Sequence, residues 1–199
     1  MKYALALLLL AVPAYGQDFD LTEMPEGYWF TAIEHDGASI VTFFGEEDGL
    51  FLFSFVSENG DNPTKVTMSQ ANRASQLVEF SNEQGGAVLT PHDCWPQKGR
   101  CEYLATYEDG ISVKISSETY VENGVWFHRR FAEDETGWYE IERGCATIDE
   151  YGFPIDLYIE YGDGRIEWST RETTQGQPDS RADFDALKAV CKNTEDLFS

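Results

Sequence analysis

This sequence predicts an all-β fold, an antiparallel meander of about eleven or twelve strands with one helix at its C-terminal end. Three observations carry that reading. Asp-Gly and Asn-Gly dipeptides punctuate the chain, among them Asp36-Gly37, Asp48-Gly49, Asp109-Gly110, Asn123-Gly124 and Asp163-Gly164, and such pairs mark hairpin turns because glycine tolerates positive φ. The stretches between them are rich in β-branched and aromatic residues. Helical periodicity occurs only near the C-terminus, and parallel crossovers would need more helices than that.

In chain order, MKYALALLLLAVPAYG (1–16) carries one cation at Lys2, an apolar run from Ala4 to Val12, then Pro13 and small residues. It reads as a secretory signal peptide cut between Gly16 and Gln17, with an apolar run too short to span a bilayer. Residues 17–199 are expected to form one domain. Runs such as GYWFTAIE, ASIVTFF, LFLFSFV, LVEF, EYLATY, ISVKISSETYV, VWFHRRF, WYEIER, IDLYIEY and RIEWSTR follow. Short connections make sequence neighbours spatial neighbours, in a barrel or a two-sheet sandwich. The helix is expected over about 181–192, with Ser180 as N-cap and Phe184, Leu187, Val190 and Cys191 on one face.

Cys94, Cys101, Cys145 and Cys191 make an even count behind an export signal, which implies disulfides. Three connectivities are possible; Cys94 with Cys101 and Cys145 with Cys191 is the simplest. HDCWPQKGRC (92–101) separates its cysteines by six residues. Zinc pairs stand two to four apart and redox pairs take C-x-x-C, so the bond is expected to staple a loop.

Side-chain alternation then assigns faces. At the Tyr161 hairpin, a two-residue Gly162-Asp163 turn sets Ile159 against Ile166 and Leu157 against Trp168, and gathers apolar residues on one face. At Asn123-Gly124, a three-residue turn with Gly124 as a bulge sets Val121 against Val125 and Ile115 against Phe131. A two-residue turn would set Val121 against Trp126 and Ile115 against Ala132. The three-residue turn gathers more apolar residues on one face and is the expected one. It sends His128, Arg130 and Glu142 outward, where Glu118 and Glu140 complement them. It turns Arg129 and Arg143 inward near Ser117, Thr119 and Tyr139. These five residues are the candidate ligand site: acids from neighbouring strands pair with the arginines, or the arginines grip a ligand carboxylate or phosphate.

The chain has 36 acids against 14 cations, a net charge of −22. Such a chain repels nucleic acid and anionic membranes. The acidic segments GEEDG (45–49) and EDET (133–136) invite divalent cations, but neither has the spacing of a calcium loop. His35, His92 and His128 lack metal-ligand spacing, and no G-x-S-x-G elbow or phosphate loop is present. With so many acids, a close carboxylate pair of the kind that hydrolyses glycosides is inevitable and therefore uninformative.

Gly27-Tyr28-Trp29 opens the first strand after the leader. That G-x-W, an antiparallel barrel and a C-terminal helix tied by a disulfide together resemble the lipocalin plan. The resemblance implies that Trp29 closes a barrel floor and that the lumen carries a small apolar ligand; the strand count departs from that family's eight.

The expected function is binding or interaction by an exported, periplasmic protein without a catalytic centre, cofactor or metal. Its partner would be another protein or a small amphipathic ligand, with no nucleic acid and no membrane insertion. A lipocalin-like carrier is the alternative, and a carboxylate-dependent glycoside hydrolase the second.

Overall fold

The computed structural model describes residues 21–35, 37–57, 64–71, 74–82, 85–90, 100–122, 124–178 and 184–191. The leader, Cys94, His92 and the Ser180 cap lie outside them. Among the described residues a 3-10 turn at Leu21–Glu23 precedes thirteen strands: β1 (Trp29–Glu34), β2 (Gly37–Glu47), β3 (Leu50–Ser57), β4 (Thr64–Ala71), β5 (Ala74–Asn82), β6 (Gly85–Thr90), β7 (Arg100–Tyr107), β8 (Ser112–Glu122), β9 (Val125–Asp134), β10 (Gly137–Ile148), β11 (Pro154–Tyr161), β12 (Ile166–Thr174) and the two-residue β13 (Gln177–Pro178). One helix, α1 (Phe184–Cys191), follows. The all-β antiparallel meander expected from the turn dipeptides is the observed architecture.

Each strand pairs with its successor, and β1 also pairs with β12. The β1–β12 ladder runs from Phe30↔Thr174 to Glu34↔Ser169 with a bulge between Thr31 and Ala32. The Thr31 and Thr173 hydroxyls meet across it at 2.8 Å. Pairing therefore runs round from β1 to β12 and returns to β1, a barrel's strand order. Alternation fixes an inward and an outward face on every strand.

The turns behave as their residues dictate. Asp48 and Gly49 both have positive φ, at 52° and 79°, and join Glu47 to Leu50. That is the geometry a two-residue Asp-Gly hairpin requires.

Apolar inward residues gather in two clusters: one includes Phe30, Val41, Phe43, Phe51, Phe53, Leu89 and Ile115, and beside Trp126 the other holds Ala146, Leu157, Ile159 and Tyr161. Leu21 and Met24 seal the first from the N-terminal side. Phe153, from the β10–β11 connection, reaches Phe30 at 5.8 Å and Phe53 at 5.1 Å between ring centroids. It thus fills the space between strands that do not pair. The Phe153 loop is held by Asp149, whose Oδ1 accepts the Tyr151 and Phe153 amides at 2.9 Å. Arg171 locks the same loop from β12, donating to Asp149 Oδ2 at 2.7 Å and to the Pro154 carbonyl at 2.8 Å while lying 4.1 Å over the Phe30 ring.

A third apolar cluster lies outside. Phe127, Cys145 and Tyr158 point outward from β9, β10 and β11 and are covered by Leu187 and Cys191 of α1. Cys145 and Cys191 form the expected disulfide, with Cα atoms 5.6 Å apart. Cys101 is also disulfide-bonded; its expected partner Cys94 is outside the described residues. Val190, expected on the buried stripe, is exposed, whereas Leu187 and Cys191 pack against the sheet. Trp29, which the lipocalin plan would put in the floor, alternates with inward Phe30 and lies beside Gly176.

Candidate functional site

Two hairpins have the opposite register to the one expected. Glu122 pairs with Val125, Val121 with Trp126 and Ile115 with Ala132, so two residues separate the β8 and β9 ladders. At the Tyr161 hairpin, Ile159 faces Glu167 and Tyr158 faces Trp168. The loop there holds three residues. The Gly164 amide donates to the Tyr161 carbonyl at 2.8 Å and the Tyr161 amide to the Arg165 carbonyl at 2.9 Å, with Gly164 at φ +83°. The expectation failed because it assumed that apolar residues gather on one face. On β9–β11 both faces are apolar in part, since α1 covers the outer one.

The register change inverts the candidate site. Arg129 and Arg143 face each other across the β9–β10 ladder on the outward side, where both bind Glu140. Arg129 Nε donates to Glu140 Oε2 at 2.7 Å, and Arg143 pairs with Glu140 Oε1. Both arginines are partly exposed. The inward arrangement expected for them is thus corrected, and a carboxylate occupies them. Tyr139 pairs with Ala132 and is largely exposed. Ser117 and Thr119 do keep the inward face, opposite Arg130 and His128.

What occupies the inward face is the trio the sequence placed outside. Arg130 pairs with Glu142 across the ladder, and its guanidinium lies 2.6 Å from Glu142 Oε1. His128 Nε2 lies 3.2 Å from the same oxygen. All three are buried, Glu142 to 1% exposure. Burial by itself would raise the Glu142 carboxyl; Arg130 and the His128 hydrogen bond outweigh it and hold the carboxyl below its ordinary value. Arg130 is correspondingly stabilised as a cation: burial opposes its charge, but Glu142, Tyr103 and Tyr161 favour it. Tyr161 is inward too. Burial, then its bond to Glu167, pushes its hydroxyl far above the ordinary range, so the phenol keeps its proton and donates to Glu167 Oε2 at 2.6 Å. Ser117 Oγ donates to Tyr103 Oη at 3.4 Å.

This network is sealed. Glu142 Oε2 has no hydrogen-bond partner and no surface open to water. Gly144 makes the packing possible: it stands opposite His128, and a Cβ there would come 2.3 Å from the Tyr158 carbonyl oxygen and 2.8 Å from His128 Cε1. The arrangement suits a structural ion pair. A general acid would need a raised carboxyl and access to substrate, and Glu142 has neither.

The acidic segments hold no assembled cation site. Asp134 Oδ1 accepts the Thr136 amide and hydroxyl, each at 2.7 Å, and Glu133 lies 3.5 Å from Lys114. Among the described residues no group of three or more His, Cys, Asp or Glu could hold a metal ion. No helix among them is long and apolar enough to cross a membrane.

The outward face differs between the two halves of the ring. From β7 to β12 several acids are paired: Glu102 and Glu133 with Lys114, Glu140 with two arginines, and Asp163 with Arg165. On β2 and β3 the outward face is apolar. Ile40 and Val56 are direct cross-strand partners, 43% and 40% exposed, and Phe44 is 58% exposed. The run ASIVTFF contained this signal, because Ile40, Thr42 and Phe44 alternate with buried Val41 and Phe43.

The class these features define is an antiparallel all-β meander with buried apolar clusters and a disulfide-pinned helix against β9–β11. Comparison with protein-family models, curated proteins and solved structures gives no match, so the fold and the surface are what speak to function.

Proposed function

We propose that this is an exported, periplasmic interaction protein without a catalytic centre, working through its outer surface. One observation carries the reading: the inward charges are committed to one another out of reach of water, while large apolar side chains stand exposed on the outside. The aromatic residues meeting around Phe153 point the same way, since a packed interior suits an interaction protein better than a carrier. The signal-like leader and the disulfides support export. Native mass spectrometry of the protein purified from its own host tests this. A stoichiometric protein partner is expected; a retained small molecule with no protein would overturn it.

A lipocalin-like carrier is the second reading, favoured by the orphan oxygen of Glu142. A ligand hydroxyl or amine could satisfy that oxygen only if the interior opened. Retention of such a molecule in the same measurement would establish this reading instead.

A further inference from the structure

We propose that the outward face of the β2–β3 hairpin docks a basic, apolar-bearing segment of a partner protein. The proposal rests on the reading of the outer surface as the working one. Phe44 is aimed outward by a bulge: Phe43 pairs with Phe53 and Gly45 with Leu52, which leaves Phe44 without a partner position. Bulges re-aim side chains and recur near functional sites. Phe44 lies four residues along the strand from Ile40, about 13 Å away, and Val56 stands beside Ile40. Thr42 and Ser54 lie between them on the same face, so the stripe is long enough for a few turns of a bound segment.

The rim decides what binds. Glu46 and Glu47 at the end of β2 and Asp48 in the turn are exposed. Glu26 is exposed as well, and its side chain lies beside Gly45, 3.7 Å from the place of a Cβ there. None of these four has an ion-pair partner among the described residues. Lys65, opposite Ser54 on β4, is an exposed cation beside the stripe. A second copy of this chain would bring a net charge of −22 and an identical acidic rim, and an anionic lipid surface would be repelled in the same way. A partner whose apolar side chains are bordered by lysine or arginine matches both the stripe and its border.

The test uses fluorescein-labelled amphipathic peptides read by anisotropy. One is built of leucine and lysine, the other of leucine and glutamate, each with one apolar helical face. The leucine–lysine peptide should bind the intact protein and the leucine–glutamate peptide should not. Phe44→Ser should weaken binding at least tenfold. Glu46→Gln with Glu47→Gln should weaken it several-fold and flatten its salt dependence. Ile166→Ser, at an exposed apolar position on β12, should leave it unchanged. Thermal melts confirm that each variant is folded. Equal binding to all variants, binding of the glutamate peptide, Phe44-dependent binding to phosphatidylglycerol vesicles in place of the peptide, or a dimer abolished by Phe44→Ser would each overturn the proposal. A host partner that still co-purifies with Phe44→Ser removes this face and leaves the outer-surface reading standing; loss of that reading itself shows as no partner with the intact protein.

Discussion

His128 lies across the β9–β10 ladder from Gly144, with its Cε1 2.8 Å from the point where a Cβ on residue 144 would stand. On the other side of that point the Tyr158 carbonyl oxygen is 2.3 Å away. One contact is a side chain and could yield; the other is backbone in the β10–β11 ladder and cannot yield without moving a strand. Gly144→Ala should therefore destabilise the fold by about 1–3 kcal/mol through overpacking. Urea denaturation measures the change, and an alanine variant as stable as the parent would show that the strands are not held this close.

The register at the β8–β9 turn sets two adjacent arginines apart. Arg130 is buried against Glu142, while Arg129 reaches Glu140 at a partly exposed site. Removing one member of a buried pair leaves the other charge uncompensated and costs about 3–5 kcal/mol. A surface pair is worth about 0–1 kcal/mol. Arg130→Met should accordingly be far more damaging than Arg129→Met, and adding Glu142→Leu to Arg130→Met should recover part of the loss. If Arg129→Met proves the costlier change in chemical denaturation, the three-residue turn is the correct one.

That contrast also shows what was legible in the sequence. The strands, the turn dipeptides and the terminal helix follow from local chemistry, which a sequence records directly, while the Cys145–Cys191 bond was the simplest of three possible connectivities. That His128, Arg130 and Glu142 share one face was visible as well, because alternation puts them there in either register, although the expected row was Glu118, His128 and Glu142 with Arg130 facing Glu140, where the structure pairs Arg130 with Glu142. Whether that face was the inward or the outward one was not visible. The choice depended on knowing that α1 covers Phe127, Cys145 and Tyr158, a contact between segments far apart in the chain. Without it, outward apolar residues on β9–β11 look misplaced, and a rule that collects apolar residues on one face selects the wrong turn. The Tyr161 hairpin failed for the same reason: Glu167 looked unsuited to an inward position until its partner Tyr161 was seen to turn inward too.

The ion pair also makes stability depend on acid. Glu142 is held below its ordinary value of 4.5 by Arg130 and His128 against the opposing effect of burial. A depressed carboxyl binds protons more weakly in the folded state than in the unfolded one. Its contribution is therefore fully present above about pH 4.5 and is lost as pH falls through the lower folded value. Unfolding free energy should drop on acidification below pH 4.5, and Glu142→Gln should make that drop shallower while lowering stability at neutral pH. Denaturation curves across this range decide it; an unchanged acid slope in the variant would assign the acid sensitivity to other carboxylates.

The helix offers the last test. α1 has eight residues, too few to be stable alone, and Leu187 and Cys191 are its described buried contacts with Phe127, Cys145 and Tyr158. Its position therefore depends on the bond between Cys145 and Cys191, 46 residues apart. Closing a loop of that length stabilises by about 4 kcal/mol in the chain-entropy model. Cys145→Ala with Cys191→Ala removes this bond while leaving Cys101 bonded, which a reducing agent would not do. The double variant should lose stability of that order. It should also lose hydrogen-exchange protection in residues 184–191 before the β9–β11 ladders open, since those ladders retain their own hydrogen bonds. Retained protection in the helix together with an unchanged urea midpoint would mean that apolar contact alone holds α1, and that the disulfide is dispensable to the fold.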